Sequence, residues 1–237
     1  KGTSTSDSDS TAGKSGGGGG SIRYPADMSV TKGLSGFSLA NVLSMTYSYE
    51  LPFGQGKSGL YGHLLSGWQL AGIISVQDGQ PFSVTASAPT ALNNLGLVRT
   101  PNLDNSNTRD QIISGTAGNC APLLYTQGTP LGGPNLYFNP CAFTFPSARE
   151  IGNVGRTTLI GPGLAKWDFS LSKTTSVTER TQLQFRVETF NLLNRANFAL
   201  PAANVLTGAG AYVGSAGSID HVVTPSRQIQ MSLKLQF

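Results

Sequence analysis

The sequence predicts an all-β fold of antiparallel, up-and-down strands. Three observations carry that expectation. Apolar and polar residues alternate over several segments, the period of a strand with unlike faces, while helical spacing is scarce. Only 12% of the 237 residues are charged, and 30 Gly and 13 Pro punctuate the chain, against about 25% charge in an ordinary soluble domain. Several alternating segments run ten residues or more, beyond the ~5–6 of a typical globular strand and close to the ~9–11 that cross a bilayer.

Residues 1–21, KGTSTSDSDSTAGKSGGGGGS, hold too few apolar groups to offset ordering entropy. They read as a flexible low-complexity loop or a cut end, with 22–237 as the β-rich part. The chain opens without Met or an apolar leader and reads as the interior of something longer. The first strand is Leu39 to Leu51. Leu43, Met45, Tyr47, Tyr49 and Leu51 share one face, and Ser44, Thr46, Ser48 and Glu50 share the other. A Pro/Gly turn, PFGQGKSG, follows.

The second strand region runs from Gly67 to about Ala86, with Trp68, Leu70, Ile74 and Val76 on one face. Asp78-Gly79 and Pro81 interrupt it and imply a bulge or bend. Residues 87–164 form a long Asn/Pro/Gly-rich connection. Trp167 to Val177 is the third strand, where Lys173 falls on the apolar face and must reach an interface. After the polar turn Thr178 to Thr181, a fourth strand starts at Gln182, with Leu183, Phe185 and Val187 opposite Gln184, Arg186 and Glu188. Arg186 and Glu188 are same-face neighbours placed to pair across a wet lumen. A second loop occupies about 199–226. The last strand has the cleanest alternation: Ile229, Met231, Leu233, Leu235 and Phe237 against Gln228, Gln230, Ser232, Lys234 and Gln236.

Composition also excludes. The sparse charge argues against a helical cytosolic enzyme. Lys and Arg, in net excess by +4, are scattered singly and form no stripe for nucleic acid. The apolar run Leu70 to Val76 is far short of the ~20 residues of a membrane helix. Cys120 and Cys141 lie 21 positions apart without a CxxC or a nearby His. Zinc therefore lacks ligands, and a Cys120–Cys141 disulfide clamping a loop in an oxidising compartment is the better reading, with two unpaired thiols as the alternative.

Enzyme signatures fail on spacing. Gly54-Gln55-Gly56-Lys57-Ser58 has Leu51 where a phosphate loop needs Gly. Ser170-x-x-Lys173 falls on a strand, where positions three apart face opposite ways. His63 and His221 lack partner clusters and read as solvated loop residues. Asp104 and Asp110 lack calcium-loop order. No cofactor site emerges, and the chain reads as a non-enzyme.

Alternation suits a soluble sandwich as well as a membrane barrel. The barrel is favoured by strand length, by connections that alternate short and long, and by aromatics near strand ends (Tyr47, Tyr49, Trp68, Trp167, Phe237) that suit interface girdles. Five strands cannot close a membrane barrel, for which about eight is the smallest common number, and open edges cannot face lipid. The expected object is an incomplete C-terminal segment of a large outer-membrane β-barrel, with 87–164 as an extracellular loop and Phe237 at the inner edge.

Tyr47-Ser48-Tyr49-Glu50-Leu51-Pro52-Phe53-Gly54 resembles the YxYELPFG segment of Oar-like TonB-dependent receptors of the acidobacterial type. Gly67-Trp68-Gln69 through Gly79-Gln80-Pro81-Phe82, Phe138-Asn139-Pro140-Cys141-Ala142-Phe143, Gly152-Asn153-Val154-Gly155-Arg156 with Gly161-Pro162-Gly163, Phe190-Asn191-Leu192-Leu193-Asn194 and Pro225-Ser226-Arg227 follow in that family's order. The resemblance implies the C-terminal part of a 22-strand transporter barrel embedded in outer-membrane lipid. Its partners would be the rest of the barrel, a plug, TonB through an N-terminal part outside this chain, and the barrel-assembly machinery. That machinery would read the terminal strand, Ile229, Met231, Leu233, Leu235 and Phe237, as its signal; a plain final strand ending in Phe is the other reading. The competing function is a secreted β-sandwich adhesin or glycan-binding module.

Overall fold

The computed structural model describes residues 3–4, 33–54, 59–87, 100–104, 112–118, 120, 125–147 and 152–237. Five long strands dominate: β1 Val42–Glu50, β2 Trp68–Gln77, β3 Leu164–Ser176, β4 Gln182–Phe190 and β5 Gln228–Gln236, with a short helix α1, Leu60–Leu65, between β1 and β2. They form one antiparallel sheet in sequence order, β1-β2-β3-β4-β5. The barrel is not closed: among the described residues, β1 and β5 each have a strand on one side only.

The chain divides into two compact units. One comprises Asn41–Gln77, Leu164–Asn197 and Val222–Phe237 and holds the sheet. Its registers are continuous. Tyr47 lies opposite Gly72, and Gly72 opposite Phe169; Leu171 lies opposite Val187, and Val187 opposite Met231. A Cβ at Gly72 would collide with the Tyr47 ring and the Asp168 carbonyl. The missing side chain lets Tyr47 lie across β2, where its Oη accepts from Trp167 Nε1 at 2.9 Å. The β3–β4 turn closes through Val177 N to Thr181 O (2.8 Å) and Thr181 N to Thr178 Oγ1 (3.0 Å).

An asparagine clasp follows β4. Asn191 and Asn194 sit in the left-handed region, φ 51° and 52°, a conformation that Asn tolerates better than most residues. The buried Asn191 accepts from Arg195 N (3.1 Å) and donates to Arg195 O (2.9 Å) and Pro225 O (3.1 Å). Its own N–H donates to Asp168 Oδ1 at 2.9 Å. Asn194 accepts from Arg227 N, and Asn197 accepts from Ala165 N while donating to Thr224 Oγ1. Three asparagines three positions apart thus fix the end of β4 against β3 and against the segment entering β5.

The other unit comprises Lys1–Ala40, Asp78–Gly163 and Phe198–His221. Its core includes Phe82, Val84, Ile112, Phe138, Phe143, Leu159, Val205 and Leu206. Phe138 meets Phe143 edge-on at 6.0 Å and Phe82 at 5.9 Å. Short pairings knit it together: Pro81–Phe82 with Leu159–Ile160, Asn102–Leu103 with Phe143–Thr144, and Thr85–Ala86 with Asn204–Leu206. Thr3–Ser4 pairs with Gly33–Leu34, and the remainder of 1–21 lies outside the described residues.

Four expectations are corrected. The second strand ends at Gln77, not near Ala86, because Gly79 packs on Gly161 so closely that a Cβ would strike its carbonyl oxygen. The third strand begins at Leu164, since β2 offers partners back to Gln77. The long connection is therefore 78–163, and its described part is built around a core. The β1–β2 connection contains α1, which carries His63, so that histidine is an exposed helical residue and not a loop residue.

Replacing Asn191 with Ala strands buried polar groups at a left-handed position, at a cost of about 2–4 kcal/mol. Denaturant unfolding of the intact protein in detergent should show that loss for Asn191→Ala and little change for the exposed Leu193→Ala.

Candidate functional site

Strand registers sort the sheet's side chains into two faces. On the first lie Leu43, Met45, Tyr47 and Tyr49 of β1, then Leu70, Ile74 and Val76 of β2. Trp167, Phe169 and Leu171 of β3, Phe185 and Val187 of β4, and Ile229, Met231, Leu233 and Leu235 of β5 continue it. This face is contiguous across all five strands. Among the described residues, no opposing sheet covers it at β5, where Ile229 is 61%, Met231 70%, Leu233 67% and Leu235 56% exposed, with Phe237 at 99%. Stable soluble folds rarely leave so large an apolar patch open, and lipid is the solvent in which it is favourable.

The opposite face is mostly polar: Ser44, Thr46 and Ser48, then Gln69 and Ser75, then Lys166, Asp168, Ser170 and Ser172, then Gln184, Arg186 and Glu188, then Gln230, Ser232 and Lys234, with Val42, Ala71 and the exposed Ile73 as its apolar members. Arg186 Nη1 lies 3.5 Å from Glu188 Oε1 and Lys166 Nζ 2.7 Å from Asp168 Oδ2. The Arg186–Glu188 pair falls where the alternation places it. Lys166–Asp168 is a second pair of the same i, i+2 kind that reading by pattern missed, although its spacing was visible.

Lys173 faces the apolar side, and its ammonium does not stand alone. It donates to the carbonyls of His63 (2.8 Å), Leu64 (3.0 Å) and Ser66 (2.7 Å) at the end of α1. Its Nζ also lies 5.1 Å from the centroid of the Trp68 ring.

In the loop unit, Cys120 and Cys141 are joined, with Sγ–Sγ 1.94 Å and Cα–Cα 5.5 Å. Asn139 Oδ1 accepts from Cys141 N at 3.1 Å and starts the short 3-10 turn Pro140–Ala142. Tyr125 Oη sits 3.5 Å from Cys141 Sγ and 3.8 Å from Cys120 Sγ. A cleft of about 440 Å³ opens beside it, lined by Tyr125, Thr126, Thr129, Pro134, Asn135 and Ser218 among others. Among the described residues, no charged side chain lines it. Such a lining offers hydroxyl and amide groups to a neutral polar ligand.

The other sequence candidates come no closer to a site. Ser170 and Lys173 face opposite sides of β3, while most of GQGKS and Asp110 lie outside the described residues. His221 Nδ1 lies 2.6 Å from Asp220 Oδ1, and that hydrogen bond holds the Asp220 carboxyl below its ordinary range. Among the described residues, no group of three or more His, Cys, Asp or Glu side chains is placed to hold a metal.

The family comparison decides what the sheet is. Residues 2–230 match the model of the outer membrane beta barrel domain. The chain belongs to that family. No curated protein and no solved structure matches it. Membership gives the uncovered face its solvent: this barrel chain resides in the bacterial outer membrane, in contact with its lipid. No helix among the described residues is long and apolar enough to cross a membrane, and strands make the crossing instead.

Burial raises the pKa of Tyr125 from the ordinary tyrosine value to about 12, with the nearby Tyr212 adding to the shift. Burial also raises Tyr137 and Tyr212. An unfolded chain gives up these protons near 10, while the folded unit keeps them to higher pH. The protonated tyrosines therefore stabilise the unit fully below about pH 10, and that contribution is lost as pH rises through the folded values toward 12. Alkaline titration followed by tyrosinate absorbance should show late ionisation in the intact barrel protein. A Tyr125→Phe variant should lose part of the late phase.

Proposed function

We propose that this chain is the C-terminal barrel part of an Oar-like TonB-dependent transporter of the 22-strand type. The observation that carries the reading is the pairing of its ordered motifs in space. GQPF meets LIGPG through Pro81↔Ile160 and Phe82↔Leu159. FNPCAF supplies Phe138, Phe143 and the disulfide, and FNLLN supplies the clasp that leads into PSRQIQ. Each motif has a structural task that depends on another, as expected of residues kept together by one fold.

On this reading the chain is passive wall and outer loops, and it makes or breaks no bond. The apolar face turns to lipid, and the polar face, with Arg186 and Glu188, turns inward to plug and substrate. β1 and β5 pair with further strands of the barrel, because unpaired strand edges find no hydrogen-bond partners in lipid. The long connections 78–163 and 191–227 face outward. They carry recognition of a ligand that the sequence leaves unspecified, and the cleft beside Tyr125 is its first candidate seat. β5 with Phe237 presents the assembly signal. TonB engages through the N-terminal part.

A plugged transporter and an open pore differ in what fills the lumen. A photo-crosslinking residue at Arg186 or Ser232 in the intact protein should capture a plug segment of the same polypeptide. At Met231 it should capture lipid. Capture of water alone at 186 and 232 would mark an open pore and contradict the transporter reading.

A further inference from the structure

The β1–β2 connection is more than a turn. Its helix α1 ends directly over the apolar side of the sheet, since both Trp68 and Lys173 belong to that face and both bond the helix end. Trp68 Nε1 donates to Leu64 O at 3.1 Å, and Lys173 reaches three carbonyls there. Ser66 closes the last turn, its N and Oγ donating to Gly62 O at 2.9 and 2.6 Å. A lysine on a lipid-facing strand is costly unless its ammonium finds acceptors. Here the carbonyls left over at a helix C-terminus supply them.

This anchoring leaves three large apolar side chains open: Phe53, Leu64 and Leu65. They lie in the connection just beyond the ends of β1 and β2, next to Tyr49 of the apolar face, which is also exposed. No acidic side chain lies on α1. Trp68, apolar in body and satisfied at its N–H, is the residue type that collects where headgroups meet acyl chains.

We propose that α1 is an interfacial foot: held by Lys173, it lays Leu64, Leu65 and Phe53 into the phospholipid surface beside the sheet. The occupant is the headgroup–acyl boundary of the bilayer, reached by burial of apolar surface. The inference rests on reading the sheet's apolar face as lipid-facing. It adds a second, shallower contact that a barrel need not make.

The test uses the intact protein in phosphatidylcholine vesicles, with a fluorophore on a single introduced cysteine and nitroxide lipids as quenchers. Leu64→Cys should be quenched several-fold more by a headgroup-level nitroxide than by one deep in the acyl chain. Met231→Cys should show the reverse. Lys173→Gln should abolish quenching at 64 and leave that at 231 intact. Quenching at 231 with none at 64 would overturn the foot and leave the barrel standing. Quenching at neither position would overturn both. Undiminished quenching at 64 in Lys173→Gln would remove the lysine from the anchor and contradict the proposal as stated.

Discussion

Successive side chains on a strand point to opposite faces, and four antiparallel registers carry that alternation across this sheet from β1 to β5 without a slip. One misplaced residue in any register would send a whole strand's apolar set to the wet side. The turns and clasps of this unit act to prevent it. Thr178 and Thr181 fix β3 against β4. Asn191, Asn194 and Asn197 fix the chain entering β5, so that Ile229 meets Thr189 and Leu233 meets Phe185.

Two departures from the alternation on the apolar face are answered locally. Gly72 interrupts the apolar row, and Tyr47 fills the gap from the neighbouring strand and bonds Trp167. Lys173 interrupts it again, and the end of α1 supplies acceptors. The loop unit is packed differently, around a small core closed by aromatic contacts and a disulfide.

The five strands were legible because period two survives in each of them, most plainly in QIQMSLKLQF. Arg186 with Glu188 could be named from their spacing on one strand, and Cys120 with Cys141 because they are the two cysteines of the sequence and no zinc ligands accompany them. The core of the loop unit was hidden, because Phe82, Ile112, Phe138 and Val205 come from distant segments with no period to join them. Helix α1 escaped notice because six residues containing Gly62 give no helical signal. The end of β2 was overrun, since Phe82 and Val84 keep the alternation going after Gly79 has already turned the chain onto Gly161. What Lys173 touches depends on a helix more than a hundred positions earlier, and no local pattern shows it.

The central claim is that alternate residues of β5 meet lipid. It is tested most directly by the free energy of folding of the intact protein into bilayers, measured for arginine placed in turn at positions 230, 231, 232 and 233. The account requires a saw-tooth: losses of about 2–4 kcal/mol at Met231 and Leu233, the penalty for Arg near a bilayer midplane, with small changes at Gln230 and Ser232. Equal losses at all four positions, or the larger losses at 230 and 232, would contradict it.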